Sequence, residues 1–266
     1  MNKNKEEMLD FLVKAFIAES DDYKHIPVPE DETQKKVILR SLMNIRKPRK
    51  MDNEILKIQD EYLKLCAKEK GIVELKDIPI IKDIFSIWQG DITTLKVDAI
   101  VNAANSIMLG CWAPMHLCID NQIHTFSGIQ LRAECNEKMQ ELKKKYGQNY
   151  EQPTAVPMLT DAYNLPSKKV IHIVGPIVYG ELTEKLEKEL ADCYEKSLDM
   201  CLENGIKTVA FCCISTGEFR FPKQRAAEIA IDTTKKWFVE HPKAMDRIIF
   251  NVFKDEDKKH YERKLQ

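Results

Sequence analysis

Cys111, His116 and Cys118 place three metal-ligating side chains within eight residues, in the spacing C-x4-H-x-C. Thiolate and imidazole are borderline-soft donors suited to zinc, and three clustered ligands leave the open coordination position that catalytic zinc sites keep. Structural sites usually collect four ligands, often as two separated pairs. This chain has no C-x-x-C at all, and it lacks the deaminase pattern H-x-E with P-C-x-x-C. The competing reading is incidental thiols beside a loop histidine. If the chain runs extended from His116, period two sends His116, Cys118 and Asp120 to one side, while Cys111 returns through the Pro114 turn. Asp120 then either completes the metal shell or, as the first residue of a helix, acts as its N-cap. His124 lies at i+4 from Asp120 and shares its helical face, where a packed or capping role outweighs a second catalytic one.

Three further polar stretches end apolar runs. Asn102 and Asn105 stand three apart where small apolar residues would suffice; a buried amide there needs partners, either its own loops or a polar ligand. Gly90-Asp91-Ile92-Thr93 offers a carboxylate that either caps a turn or accepts from an exocyclic amine or ribose hydroxyl. Ser215-Thr216-Gly217-Glu218-Phe219-Arg220-Phe221-Pro222 joins hydroxyls, a glycine and a proline-opened helix, a combination that can gather backbone N–H groups around an anion. It matches neither G-x-x-x-x-G-K-[ST] nor G-x-G-x-x-G, and taken alone it is more simply an ordinary strand-to-helix turn. His172, inside an apolar run, reads as a satisfied core histidine. Cys66, Cys135, Cys193, Cys201, Cys212 and Cys213 read as small buried or half-buried thiols of a reducing compartment.

The elements that must carry these groups fall into two styles. None of the nine glycines occurs before Gly71. Over residues 1–77, apolar residues recur at helical spacing in three stretches: around Met8 to Phe16, Val37 to Met43, and Ile55 to Leu63. Pro27, Pro29 and Pro48 separate them, and the basic cluster around Pro48 reads as a solvated inter-helix turn. From residue 78 strands alternate with helices: strands over 84–89, 97–104, 154–159, 169–174, 208–214 and 247–253, and helices from near Asp120 to Tyr146, over 182–203 and over 222–241. That alternation predicts an α/β domain over 78–266 with a mostly parallel sheet flanked by helices, behind a helical extension over 1–77. In such sheets ligands gather beyond the carboxyl ends of the strands, where all the polar stretches fall.

Composition narrows the classes. The chain has 266 residues, 44% hydrophobic and 31% charged, enough for one good core and a smaller second one. With 41 lysines and arginines against 42 acidic residues, a net charge of -1 gives no bulk drive towards nucleic acid or anionic lipid. No apolar run approaches the roughly 20 residues of a membrane span, and the N-terminus has no secretory h-region, so a cytoplasmic protein is expected.

Together these residues resemble the macrodomains that bind and hydrolyse ADP-ribose, over about residues 82–255. The likeness rests on Gly90-Asp91-Ile92-Thr93, on Val97 to Asn105, on Tyr163-Asn164-Leu165-Pro166 with His172 to Pro176, and on Ile214-Ser215-Thr216-Gly217. The usual glycine-rich loop after Asn105 is replaced by Cys111 to Cys118, which is similar to the zinc-containing microbial macrodomains with N-terminal helical extensions. The resemblance implies a three-layer fold whose mostly parallel sheet is mixed, and a zinc ion on Cys111, His116 and Cys118 beside the distal ribose. It places adenine on Asp91 and Ile92, and the diphosphate among Ser215, Thr216, Gly217, Glu218 and Phe219. Asn102 and Asn105 would brace or contact the distal ribose, Ile119 and Asp120 would line that end, and Asp120 would handle the proton. Asn121 departs from the family's usual glycine, and Arg220 from a small residue. The implied activity is zinc-dependent removal of mono-ADP-ribose from an acidic side chain of a protein by a monomeric enzyme. The implied partner is a lipoyl carrier protein modified by a sirtuin-like transferase. A non-catalytic ADP-ribose reader with structural zinc and an O-acetyl-ADP-ribose deacetylase are the rivals.

Overall fold

The computed structural model describes residues 3–266. Three helices come first, α1 (Lys5–Ala18), α2 (Glu32–Ile45) and α3 (Asn53–Lys70), each opened by a side-chain cap from Asn4, Asp31 or Asp52. Asn4 and Glu7 form a reciprocal capping box, satisfying two amide donors that a helix start otherwise leaves open. The apolar stripes of the three helices close on Leu12, Val13, Leu39, Tyr62 and Leu63, and Ile129 from the rest of the chain completes this small core.

The remainder is an α/β layered structure. Its six-stranded sheet contains β2 (Phe85–Gln89), β4 (Ala99–Ala104), β5 (Met158–Asp161), β6 (Lys169–Val174), β7 (Thr208–Phe211) and β8 (Arg247–Val252), in the order β2-β8-β7-β4-β6-β5. All neighbours are parallel except the β5-β6 edge pair. A separate short pair, β1 (Val73–Glu74) with β3 (Leu95–Lys96), clips the exit of the helical extension to the segment after Asp91. The near-continuous apolar run of β4 follows from its central place, with Ile100 and Val101 inaccessible to solvent. Against the sheet lie α4 (Ile119–Ser127), α5 (Ile129–Tyr146), α6 (Glu184–Glu203), α7 (Lys223–Glu240) and α8 (Asp255–Leu265).

Four boundaries differ from the sequence expectation. The helix expected from Asp120 to Tyr146 is two, because the chain turns at Gly128 with φ 98°, a conformation that other residues adopt at a cost. The strand expected over 154–159 begins only at Met158, since Pro153 and Pro157 lack an N–H and Ala155 turns with φ 59°. The strand expected to reach Ile214 ends at Phe211, because the Cys213 carbonyl already accepts from the Thr216 amide (3.3 Å) in the next turn. Asp120 is not the helix N-cap; Cys118 is, with its Sγ accepting from the Asn121 amide at 3.4 Å.

Candidate active site

The carboxyl end of β4 delivers the two asparagines to one carboxylate. Asn102 is fully buried, and its Nδ2 donates to Asp120 Oδ1 (2.8 Å) and to His172 Nδ1 (3.0 Å). Asn105 Nδ2 donates to Asp120 Oδ2 (3.3 Å) and to the Gly110 carbonyl (3.2 Å). Both oxygens of Asp120 are therefore oriented by amides, which answers why asparagines end a buried strand. Burial lifts the Asp120 carboxyl to about 6, while the Asn102 amide and the Arg132 guanidinium act in the opposite direction. Because His172 Nδ1 accepts from an amide, the imidazole carries its proton on Nε2, which faces Thr160 Oγ1 at 3.0 Å. His172 is thus the satisfied core histidine expected, and burial drives its pKa down to about 3. His124 Nε2 lies 3.6 Å from Asp120 Oδ1 without a hydrogen bond, and burial holds its ring neutral. A second group of His124, Cys135 and His172 comes within ligand distance, but these three are core residues, and His172 is already engaged by Asn102 and Thr160.

Beside Asp120, the ligand atoms of Cys111, His116 and Cys118 lie within 4.8 Å of one another, with Cys111 Sγ 3.6 Å from His116 Nδ1. Asp120 does not join them: helix α4 starts at Ile119, so the period-two alignment breaks and the carboxylate turns to the asparagines. Two half-buried thiols and an imidazole, whose Nε2 also lies 3.9 Å from Glu218 Oε1, converge in a donor set that fits a zinc ion. Burial, the largest effect, pushes the Cys118 thiol up to about 12, and a bound cation is what would ionise it.

This loop is braced by residues that sequence spacing did not reveal. Arg40 of α2 donates to the His116 carbonyl (2.8 Å) and to Asn121 Oδ1 (2.9 Å). Asn44 of α2 accepts from the Met115 amide (3.1 Å) and donates to Thr125 Oγ1 (2.9 Å). Arg132 of α5 donates to the Leu109 carbonyl (2.7 Å) and stacks on Trp112 at 4.2 Å. Asn121 Nδ2 donates to the Ala113 carbonyl (2.9 Å), so the residue standing in place of a glycine staples the Cys111–Cys118 loop from inside.

The loop after β7 lies at the same end of the sheet. Ser215 has φ 65° and is buried, the Phe221 amide bonds back to its carbonyl (3.0 Å), and among the described residues the amides of Gly217, Glu218 and Phe219 have no protein acceptor. Three successive free N–H groups ahead of α7 are a donor set suited to an anion. Glu218 Oε1 lies 3.9 Å from His116 Nε2, which brings this loop against the Cys111–Cys118 loop, and Arg220 is exposed. Gly175 is required by proximity: a Cβ there would stand 2.1 Å from Ser215 Oγ.

At the far end, Asp91 caps the turn Ile92–Thr94. Its Oδ1 accepts from the amide (3.0 Å) and hydroxyl (2.6 Å) of Thr93, and its Oδ2 from Lys70 Nζ of α3 (2.8 Å). Ile92 is buried beside it. Phe253, just past β8, is 73% exposed, and the Gly90 amide bonds to the preceding Val252 carbonyl (3.0 Å).

The Macro domain family matches residues 101–230, from β4 into α7. The protein-ADP-ribose hydrolase of Treponema medium is 48% identical, over 94% of this chain and 95% of its own length. The chain belongs to the macrodomain family. A protein-ADP-ribose hydrolase of Staphylococcus aureus strain MSSA476 is 38% identical, over 96% of this macrodomain and 94% of its own length. A crystal structure of a Trypanosoma brucei macrodomain in complex with ADP-ribose superposes with a TM-score of 0.64 at 26% identity, covering 90% of this chain and 97% of that one. The three-layer macrodomain fold with N-terminal helices is therefore the architecture of this protein.

Proposed function

We propose that this macrodomain is a zinc-dependent protein-ADP-ribose hydrolase that removes mono-ADP-ribose from an acidic side chain. The observation that carries the reading is the grouping at the carboxyl ends of the central strands of Asp120, held by Asn102 and Asn105, the Cys111-His116-Cys118 triad, and the free amides of Gly217, Glu218 and Phe219. The relatives named protein-ADP-ribose hydrolase, similar along nearly their whole length, support the same activity.

In this reading the diphosphate sits on the loop amides, adenine lies by Asp91 and Ile92, and the distal ribose rests between Asn105, Ile119 and Phe219. Cys111, His116 and Cys118 would hold zinc, which would supply Lewis-acid polarisation of an oxygen in the bound substrate. Asp120 orients water towards the anomeric carbon and takes its proton as the C–O bond to the side-chain carboxylate breaks. Asn102 and Asn105 fix the Asp120 oxygens so that no reorientation is needed at the moment of reaction. An ester-type acidic linkage suits one carboxylate base, because a carboxylate leaves without prior protonation. A lipoyl carrier protein modified by a sirtuin-like transferase is the substrate class implied by likeness to zinc-type relatives.

The test is release of ADP-ribose from a glutamate-modified carrier protein by as-purified, chelated and zinc-restored enzyme, with zinc content measured in parallel. Turnover lost on chelation and regained with stoichiometric zinc is expected. Tight ADP-ribose binding without turnover in any sample would make the protein a reader, and faster hydrolysis of free O-acetyl-ADP-ribose than of the protein would make it a deacetylase.

A further inference from the structure

The last turn of the helical extension ends beside Asp91, where Lys70 makes two contacts. Its Nζ donates to Asp91 Oδ2 at 2.8 Å and lies over the Phe126 ring of α4, 3.1 Å from the centroid. Helix α3 stops there because Gly71 takes φ 90°, and the β1–β3 pairing clips the following residues alongside Leu95 and Lys96. Lys70 is thus delivered to a fixed place by two independent constraints, one helical and one in the sheet.

An ionised carboxylate offers about four lone-pair positions. Two on Oδ1 are used by the Thr93 amide and hydroxyl, and one on Oδ2 by Lys70. One position on Oδ2 remains, which matches the single N–H that an exocyclic 6-amino group turns towards a carboxylate. We propose that Lys70 is a positioning residue for base recognition, holding Asp91 so that its one free acceptor faces the amino group of the purine. The cation on Phe126 keeps the lysine from swinging into solvent, and it offsets the Asp91 charge that would otherwise repel a diphosphate ligand. Although burial acts upward on the Asp91 carboxyl, the bonds from Lys70 and Thr93 outweigh it and hold the group below the ordinary range, ready to accept. The helical extension then contributes to the ligand site itself as well as bracing the Cys111–Cys118 loop through Arg40 and Asn44.

This inference rests on the ADP-ribose reading, and a double-mutant cycle separates the two. ADP-ribose binding is measured by calorimetry for the zinc-loaded wild type, Lys70→Met, Asp91→Ala and the double variant, with Lys70→Arg as the conservative replacement. Lys70→Met is expected to weaken binding about fivefold, the scale of a partly exposed ion pair. It should raise KM with kcat unchanged, and in the Asp91→Ala background it should have no further effect. Lys70→Arg should restore most of the affinity. Unchanged or tighter binding by Lys70→Met, or an equal loss in both backgrounds, would overturn the role of Lys70. A wild type that fails to bind ADP-ribose would instead remove the site assignment beneath it.

Discussion

Replacing Gly175 by alanine tests the anion-binding loop through a contact that no ligand is needed to see. The new Cβ would stand 2.1 Å from Ser215 Oγ and 2.8 Å from Ile214 Cγ2, where ordinary contact begins at 3.4 Å. Ser215 Oγ must therefore retreat by about 1.3 Å, in a residue that is 5% exposed, sits at φ 65° and holds the Phe221 amide on its carbonyl. Overpacking of this kind costs about 1–3 kcal/mol. Since the strain falls on the loop carrying the free amides, ADP-ribose affinity should drop by about 10- to 100-fold. Ser215→Gly removes both the clashing hydroxyl and the left-handed strain of about 1–2 kcal/mol. The double variant Gly175→Ala, Ser215→Gly should then recover part of the lost binding, the 2.8 Å approach to Ile214 Cγ2 remaining, because in this reading the loop works through its backbone. Calorimetry with ADP-ribose, alongside thermal unfolding, reads both terms. Wild-type affinity in Gly175→Ala would refute the steric reasoning, and loss of binding in Ser215→Gly alone would show that the hydroxyl, rather than the amides, holds the anion.

Asp120→Ala should lower kcat by about 100- to 10,000-fold while leaving ADP-ribose affinity within a few-fold, as read by single-turnover release and calorimetry. Asn121→Gly removes the bond to the Ala113 carbonyl and the acceptor of Arg40, and it puts glycine into the first turn of α4. A loss of about 2–3 kcal/mol follows, seen as a Tm lower by about 4–10 °C. Asp98 accepts from the amides of Lys207 (3.1 Å) and Thr208 (3.0 Å) and from Lys168 (2.7 Å); burial acts upward on its carboxyl, but these bonds set it below the ordinary 3.8. Its contribution is therefore present above the unfolded-state pKa and lost as pH falls through the folded one. Asp98→Asn should be less stable than wild type by about 1–3 kcal/mol at pH 7, and denaturant titrations should show that gap closing below about pH 4.

Local chemistry was legible in the chain itself. The C-x4-H-x-C spacing brings its three donor side chains together because so few residues separate them that one loop suffices, whatever surrounds it. The apolar run of β4 and the glycine and proline placements gave the α/β class, since a strand covered on both faces has little choice of composition. The β4 ending Asn102 to Asn105 pointed to buried amides in need of partners. What the sequence left open was which partner each would take: Asp120 looked like a metal ligand or cap and became the carboxylate held by two asparagines, because the helix begins one residue earlier, on the Cys118 thiol.

Contacts between distant segments belong to the tertiary structure. Arg40 and Asn44 meet the Cys111–Cys118 loop more than 70 positions away, and Lys70 reaches Asp91 across 21, through side chains whose charge alone would suit any solvated helix face. Periodicity reports which face of a helix is apolar, but not which neighbour a long polar side chain on its rim will find. Composition and local spacing thus determined the class of fold and the donor set of the site, since those depend on nearest neighbours along the chain. The packing of α2, α3 and α5 around that site decided how its groups are oriented and held, because hydrogen-bond geometry is set only when remote backbones are brought to fixed distances.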